Sequence, residues 1–331
     1  MMINRLISLS PAVMPWVLLI IGFAALVKGA DFFVDGAASF ARKLGISAAI
    51  VGLTIVAMGT SAPEAAVSIT AGVQAKLFGN TAAADMAVGN IIGSNLFNLL
   101  LILGVCMMIR PIPTSFGSLK RDFPWAIVST ILFIPMITDG RLGIIEGIIL
   151  VTLFAAYIGW MIYQSIKNRE QAEDETKLMP LSKSLILLGI GLAMIILGGQ
   201  FVVNSAEKIA LDLGMDGKLV GLTICAIGTS LPELVTSVVA SKKGESELAV
   251  GNVIGSNIFN LLFILGTTVV ISPISVDIAM LTDVIILLIA TAAVMFFSFT
   301  KMQCDRKEGI IIFTAYLGYT AYIILRAYNM I

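Results

Sequence analysis

The sequence predicts an all-α polytopic membrane protein whose ten transmembrane helices form two inverted-topology repeats of five. Three observations carry the prediction. Of the 331 residues, 58% are hydrophobic and only 13% charged, where a soluble globular chain carries about a quarter charged residues. Apolar stretches of about 20 residues, enough to cross ~30 Å of hydrocarbon, recur along the whole chain. Two long motifs occur twice in register. Formal net charge is zero, so no acidic or basic tail suggests a nucleic-acid partner. The absence of histidine excludes imidazole proton relays and His-ligated metal sites. Cys106, Cys225 and Cys304 are scattered and form no CxxC pair, which reads as small apolar packing residues. No resident cofactor is expected.

Hydropathy places the spans at roughly 15–34, 47–75, 87–109, 123–139, 143–164, 184–204, 218–240, 248–271, 281–299 and 309–328. Backbone groups cannot go unpaired in lipid, so each span is a helix. The first has one early cation, Arg5, and its apolar run from Trp16 to Val27 continues into a repeated segment, so it reads as a retained span rather than a cleaved signal. Ten spans put both termini on one side. Six Lys and Arg fall on that side and fourteen on the other, leaving aside Lys28 within a span. The positive-inside rule then places both termini outside the cell. The polar stretch "KNREQAEDETK" (Lys167–Lys177) becomes a solvated cytoplasmic connector. The chain divides into a first five-helix unit, 1–164, a linker, 165–183, and a second unit, 184–331.

The two units repeat one another. "VGLTIVAMGTSAPE" (Val51–Glu64) matches "VGLTICAIGTSLPE" (Val220–Glu233) 169 residues later. "MAVGNIIGSNLFNLLLILG" (Met86–Gly104) matches "LAVGNVIGSNIFNLLFILG" (Leu248–Gly266) 162 residues later. Five spans is an odd number, so the second unit enters the membrane from the opposite side. Inverted repeats of this kind mark carriers that hold substrate near the midplane.

Each first motif sets a glutamate and a helix breaker inside a span. Pro63 has no N–H, so the carbonyl of Gly59 loses its partner, and Pro232 does the same for Gly228. Ala57, Ser61, Glu64 and Ser68 are spaced four, three and four and share a face, as do Ala226, Ser230, Glu233 and Ser237. In the second motifs Asn90, Ser94 and Asn98 recur every four residues, mirrored by Asn252, Ser256 and Asn260, while Gly89–Gly93 and Gly251–Gly255 permit close helix approach. Asn95 and Asn257 sit one position off the polar stripe and read as hydrogen bonds between helices. Lys28 and Asp31, three apart near the end of the first span, read as a local pair or as side chains that snorkel to the interface. Carboxylates, hydroxyls, amides and freed carbonyls make a hard, all-oxygen set suited to Na⁺ or Ca²⁺. Two intramembrane carboxylates cost several kcal/mol unless a cation or protons neutralise them. Two such charges balance one divalent ion or more than one monovalent ion. That equivalence is the physical basis of exchange at a single site.

"GTSAPE" and "GTSLPE", each followed by a "GSNxFN" segment, resemble the two alpha repeats of the cation/calcium exchanger superfamily, in its prokaryotic sodium/calcium exchanger branch. The resemblance covers nearly the full chain and implies a secondary antiporter rather than an enzyme. It implies cation sites between spans 2, 3, 7 and 8, with Glu64 and Glu233 as central ligands. Thr60, Ser61, Ser94, Asn98 and the carbonyl of Ala57 would line the site from the first repeat. Thr229, Ser230, Ser256, Asn260 and the carbonyl of Ala226 would do so from the second. It further implies bound Na⁺ and Ca²⁺ as transported ions, a prokaryotic plasma membrane with its lipid as surroundings, and spans 1 and 6 sliding to alternate access. The sequence does not fix an oligomeric state, and a monomer suffices for the site. Potassium-dependent relatives carry Asp where Asn260 stands, which argues against potassium dependence. "GTSxPE" differs from the proton/calcium motif and speaks for sodium. The alternatives are a proton-coupled or broader divalent-cation antiporter and, from another class, a passive cation channel. An intramembrane enzyme fits poorly, since neither glutamate has His or Lys beside it.

Overall fold

The computed structural model describes residues 13–79, 81–113, 116–167, 179–215, 226–301 and 303–328. Arg5, Cys225, the start of the second "VGLT" motif and most of the predicted connector lie outside them. The described chain is helical apart from four two-residue strands.

The first helix, α1, spans Met14–Leu44 and outruns its predicted span of 15–34. Hydropathy stops where Asp35, Arg42 and Lys43 begin, but helical hydrogen bonding does not. The same holds for α8, Leu181–Asp212, against 184–204. The second predicted span is two helices, α2 (Ala48–Thr60) and α3 (Ala62–Phe78), bent by 51°. The break is at Ser61, whose φ of −82° and ψ of 10° leave the helical region, with Pro63 in the first turn of α3. Proline tolerates that position because its missing N–H has no helical partner there. Within α2, Gly52–Val56 is a π turn.

Helix α4 (Thr81–Leu96) passes through a π turn, Phe97–Ile102, into α5 (Leu103–Ile109). Then come β1 (Ile112–Pro113), α6 (Phe116–Met136), β2 (Arg141–Leu142) and α7 (Ile144–Lys167). After α8 the order recurs. A short α9 (Ala226–Gly228) breaks at Ser230 into α10 (Leu231–Lys243). Helix α11 (Ser246–Ile258) runs through a π turn, Phe259–Ile264, into α12 (Leu265–Ile271). The chain closes with β3 (Ile274–Ser275), α13 (Met280–Lys301), β4 (Gln303–Cys304) and α14 (Arg306–Ala327).

Among the described residues seven helices are long and apolar enough to cross a membrane, and the bent pair α2–α3 makes an eighth. Of the two other predicted spans, 123–139 corresponds to the shorter apolar run Asp122–Met136, and 218–240 begins outside the described residues. Large apolar side chains are left outward, such as Ile145 at 71% and Ile166 at 72% exposure. A bilayer, not water, is the solvent that tolerates such a surface.

Two contacts place the site. Helices α1 and α8 pack at glycines: a Cβ on Gly191 would lie 2.6 Å from the Phe33 nitrogen, and one on Gly29 would lie 2.9 Å from the Gly191 carbonyl oxygen. Ser184 on α8 donates to Ser39 on α1 at 3.0 Å. Helix α11 lies equally close on α2, where a Cβ on Gly52 would fall 2.6 Å from the Leu248 carbonyl oxygen. The predicted close approach at Gly89–Gly93 is not matched among the described residues. A Cβ on Gly89 would meet only the end of the Met280 side chain at 3.0 Å, and one on Gly93 nothing within 4 Å. The small strands also join the two parts of the chain, β1 with β4 and β2 with β3, both antiparallel.

Candidate cation site

Ser61 and Ser230 occupy the N-cap positions of α3 and α10, yet neither side chain makes a capping bond. A serine there ordinarily accepts from the first-turn N–H groups. Each hydroxyl instead crosses to the other half of the chain. Ser61 Oγ donates to Glu233 Oε1 at 2.6 Å, and Ser230 Oγ donates to Glu64 Oε1 at 3.0 Å. Both glutamates are fully buried and lie in the first turns of their helices, where the helix dipole favours a carboxylate. Each keeps its second oxygen, Oε2, without a hydrogen bond among the described residues.

The asparagines form a second reciprocal arrangement. Asn95 Nδ2 donates to the Asn257 carbonyl and Asn257 Nδ2 to the Asn95 carbonyl, each at 3.1 Å. A backbone carbonyl only accepts, so the two amide nitrogens must face these carbonyls. Their oxygens therefore face the neighbouring amides: Asn98 Nδ2 donates to Asn257 Oδ1 at 3.2 Å and Asn260 Nδ2 to Asn95 Oδ1 at 3.1 Å. Asn98 and Asn260 are thereby turned so that Oδ1 of each is buried without a donor. The pair expected to join helices also aims the amide oxygens of the polar stripe.

The remaining predicted residues divide. Thr60 Oγ1 lies 3.0 Å from both the Val56 carbonyl and Asn252 Oδ1; with one proton it serves one at a time. The Ala57 carbonyl is engaged, accepting from the Ser61 nitrogen at 3.0 Å and facing Thr60 Oγ1 at 3.3 Å and Ser256 Oγ at 3.5 Å. Ser94 Oγ and Thr229 Oγ1 are buried without a partner among the described residues. Ala226 opens α9. Asn252 belongs to the polar stripe but not to the ligands that the resemblance implies; its Nδ2 donates to Ser237 Oγ at 2.9 Å and lies 3.5 Å from the Glu233 carbonyl. The four-residue spacing to Ser256 and Asn260 is the sequence signal that places it on that face. Lys28 and Asp31 pair at 2.6 Å, as expected.

The oxygens buried without hydrogen bonds among the described residues thus include Glu64 Oε2, Glu233 Oε2, Asn98 Oδ1, Asn260 Oδ1, Ser68 Oγ, Ser94 Oγ and Thr229 Oγ1. Burying such groups unpaired costs about 1–3 kcal/mol each, and more for charged ones. All can act as acceptors, and none is a thiolate or an imidazole. This donor set fits a hard cation.

Residues 14–163 and 183–325 match the family described as sodium/calcium exchanger protein. This chain belongs to the sodium/calcium exchanger family. The family is one of membrane transporters, and the chain is an integral, multi-pass membrane protein. It is 39% identical over 315 residues to a putative antiporter, CaxA, of Alkalimonas amylolytica, covering 92% of this chain and 96% of that one. It is 30% identical to the sodium/calcium exchanger MaX1 of Methanosarcina acetivorans, covering 92% and 97%. The solved structure of the sodium-calcium exchanger NCX_Mj superposes with a TM-score of 0.81 at 29% identity, covering 94% of this chain and 99% of that one.

Proposed function

We propose that this exchanger moves Ca²⁺ against Na⁺ by alternating access, at one cation site shared by two inverted halves of five spans each, 1–164 and 184–331. The observation that carries the reading is the reciprocal serine–glutamate pair. Each carboxylate is held by a hydroxyl from the other half and keeps one oxygen free for an ion. Glu64 and Glu233 would supply the charge. Asn98, Asn260, Ser94 and Thr229 would supply neutral oxygens, and Ser61 and Ser230 would orient the carboxylates. Thr60, Ser256 and the carbonyls of Ala57 and Ala226 complete the proposed lining. Two carboxylates are balanced by one Ca²⁺ or by Na⁺ ions, so loading with one kind displaces the other. Because both glutamates are in one chain, the monomer is taken as the working unit. The charge bias of the loops supports a plasma-membrane orientation with both termini outside.

The test is uptake of radiolabelled Ca²⁺ into proteoliposomes preloaded with Na⁺, against K⁺ or choline preloading at fixed pH. Uptake driven by the Na⁺ gradient alone is expected. Uptake indifferent to Na⁺ but driven by a pH gradient would replace this reading with the proton-coupled one. Uptake that needs no counter-ion gradient would point to a channel.

A further inference from the structure

At the turn between α10 and α11 the structure holds a charged cluster that the cation site does not use. Lys243, the last residue of α10, lies 2.5 Å from Asp31 Oδ1 and 2.6 Å from Asp35 Oδ1, and its ammonium donates to the Asp31 carbonyl at 3.1 Å. Asp31 also pairs with Lys28. Two helical turns beyond Asp35 on α1, Arg42 pairs with Glu245 of the same turn. Burial lowers the pKa of Lys243 and the bonds to Asp31 and Asp35 raise it. The raising wins, so the ammonium stays charged. These pairs fasten α1, and with it the glycine-packed α8, to α10.

The same end of the molecule is sealed. Ala49, Val51, Leu248 and Ala249 are buried where α2 meets α11, in the contact that leaves no space for a Cβ on Gly52. The other end is different. A cavity of about 120 Å³ lies between α4, α9 and the later part of α14, reaching Asn90, Ser94 and Phe97 past Tyr316 and Tyr319. Helix α5 finishes beside the sealed end, since a Cβ on Gly244 would meet the Arg110 guanidinium. The cavity therefore reaches the polar stripe of α4 from the opposite direction.

The internal repeat shows what stands at the equivalent places. Adding 169 to Asp31 and Asp35 gives Gln200 and Asn204, and subtracting 169 from Lys243 gives Gln74. All three counterparts are uncharged, and all three are exposed. Lys243 and its two aspartates form ion pairs at one end, and the three positions that mirror them carry no charge.

We propose that Lys243, Asp31 and Asp35 form a latch that favours the state closed at the α10–α11 end, and that the two access states are unequal because the opposite end lacks its counterpart. This rests on the alternating-access reading. It is tested by thiol labelling rather than ion flux. In a background carrying C106A, C225A and C304A, Ala249→Cys places a thiol in the seal, where a membrane-impermeant maleimide reaches it only when that end opens.

Lys243→Gln, and separately Asp31→Asn with Asp35→Asn, are expected to raise the labelling rate about three- to tenfold, the yield of losing partly exposed ion pairs that bias a two-state equilibrium. Lys243→Arg is expected to label at the parent rate. A second arm installs the trio at the other end with Gln200→Asp, Asn204→Asp and Gln74→Lys, leaving the native latch intact. It too is expected to raise labelling, and it decides the matter if the first variants do not fold. Unchanged labelling in both arms, with a thiol that still responds to reversal of the ion gradient, overturns the latch alone. A thiol unlabelled in every variant and under every gradient overturns alternation and the latch together.

Discussion

At the scale of the residue, the two glutamates are distinguished by what holds them. Each has one oxygen committed to a serine of the other half and one uncommitted, so a neutral amide of the same shape keeps the packing and loses the charge. Glu64→Gln and Glu233→Gln are each expected to lower Ca²⁺ uptake by about two orders of magnitude or more, at or above the upper end of the 10–100-fold typical of a residue that merely orients a ligand, with inserted protein unchanged by blotting. Uptake within a few fold of the parent in either variant would remove that carboxylate from the ligand set. Asn260 carries a subtler expectation. Its Nδ2 donates to Asn95 Oδ1, and an aspartate there has no proton to give. Asn260→Asp therefore adds a charge to the site and sets two acceptors against each other, a loss of about 1–3 kcal/mol. We expect a lower melting temperature in chelator that added Ca²⁺ restores more strongly than in the parent, together with a changed cation preference in uptake. Equal Ca²⁺ protection of both proteins would separate position 260 from the ion. The sequence made the glutamates and the polar stripe legible, because Pro and Glu inside an apolar span have few other uses. It did not reveal that the cap serines cross between halves, since at Ser61 and Ser230 local pattern alone reads as an ordinary helix start.

At the scale of the element, apolar length located the helices and misjudged their ends, because α1 and α8 continue past the hydrocarbon on charged residues such as Arg42 and Lys208. The bend at Ser61 was readable from Pro63. The π turns at Phe97–Ile102 and Phe259–Ile264 were not, since they arise in apolar runs with no breaking residue. The glycine pattern was read at α4 and α11, but it is tight only at α11. The contact between α1 and α8 also depends on glycine, with Gly22 facing Gly198, Gly29 facing Gly191, and Gly36 facing Ser184 and Leu188. Their seven-residue spacing lies on one helical stripe. Gly191→Ala forces a methyl group to within 2.6–2.9 Å of the α1 backbone, where only a shift of the whole helix relieves it. It is expected to cost about 1–3 kcal/mol, as overpacking does, lowering the melting temperature and the monodisperse yield. Gly189→Ala, where a Cβ meets nothing within 4 Å among the described residues, is the matched control and is expected to hold or raise stability through helix propensity. Equal behaviour of the two would show that α1 and α8 are free to separate.

At the scale of the whole molecule, the parts of the chain on either side of residues 168–178 are joined by contacts that are exchanged between them. β1 pairs with β4 and β2 with β3, α1 packs on α8 and α2 on α11, and each glutamate is held by a serine from across the molecule. The duplication and the resemblance implied one centre shared by the halves, between spans 2, 3, 7 and 8, but not which side chains cross from one half to the other; a site in each half is the alternative arrangement. The crossing Ser61–Glu233 and Ser230–Glu64 bonds favour the shared centre, and that yields a prediction no single substitution can make. If the site belongs to the pair, the covalent connection between the halves is dispensable while neither half is active alone. A chain divided within 168–178 and expressed as two fragments is expected to co-purify through the α1–α8 and α2–α11 contacts. It should also show Na⁺-dependent Ca²⁺ uptake at a measurable fraction of the intact protein, of order a tenth or more, since joining two partners chiefly raises their effective concentration. Either fragment expressed alone should insert without uptake above empty vesicles. Placing Glu64→Gln in the first fragment should silence the co-expressed pair, because the second fragment's Glu233 cannot balance a divalent ion unaided. Uptake by a lone fragment, or by the pair carrying that substitution, would mean that each half holds a complete site. The crossing serines would then be structural ties rather than the two sides of one ion-binding centre.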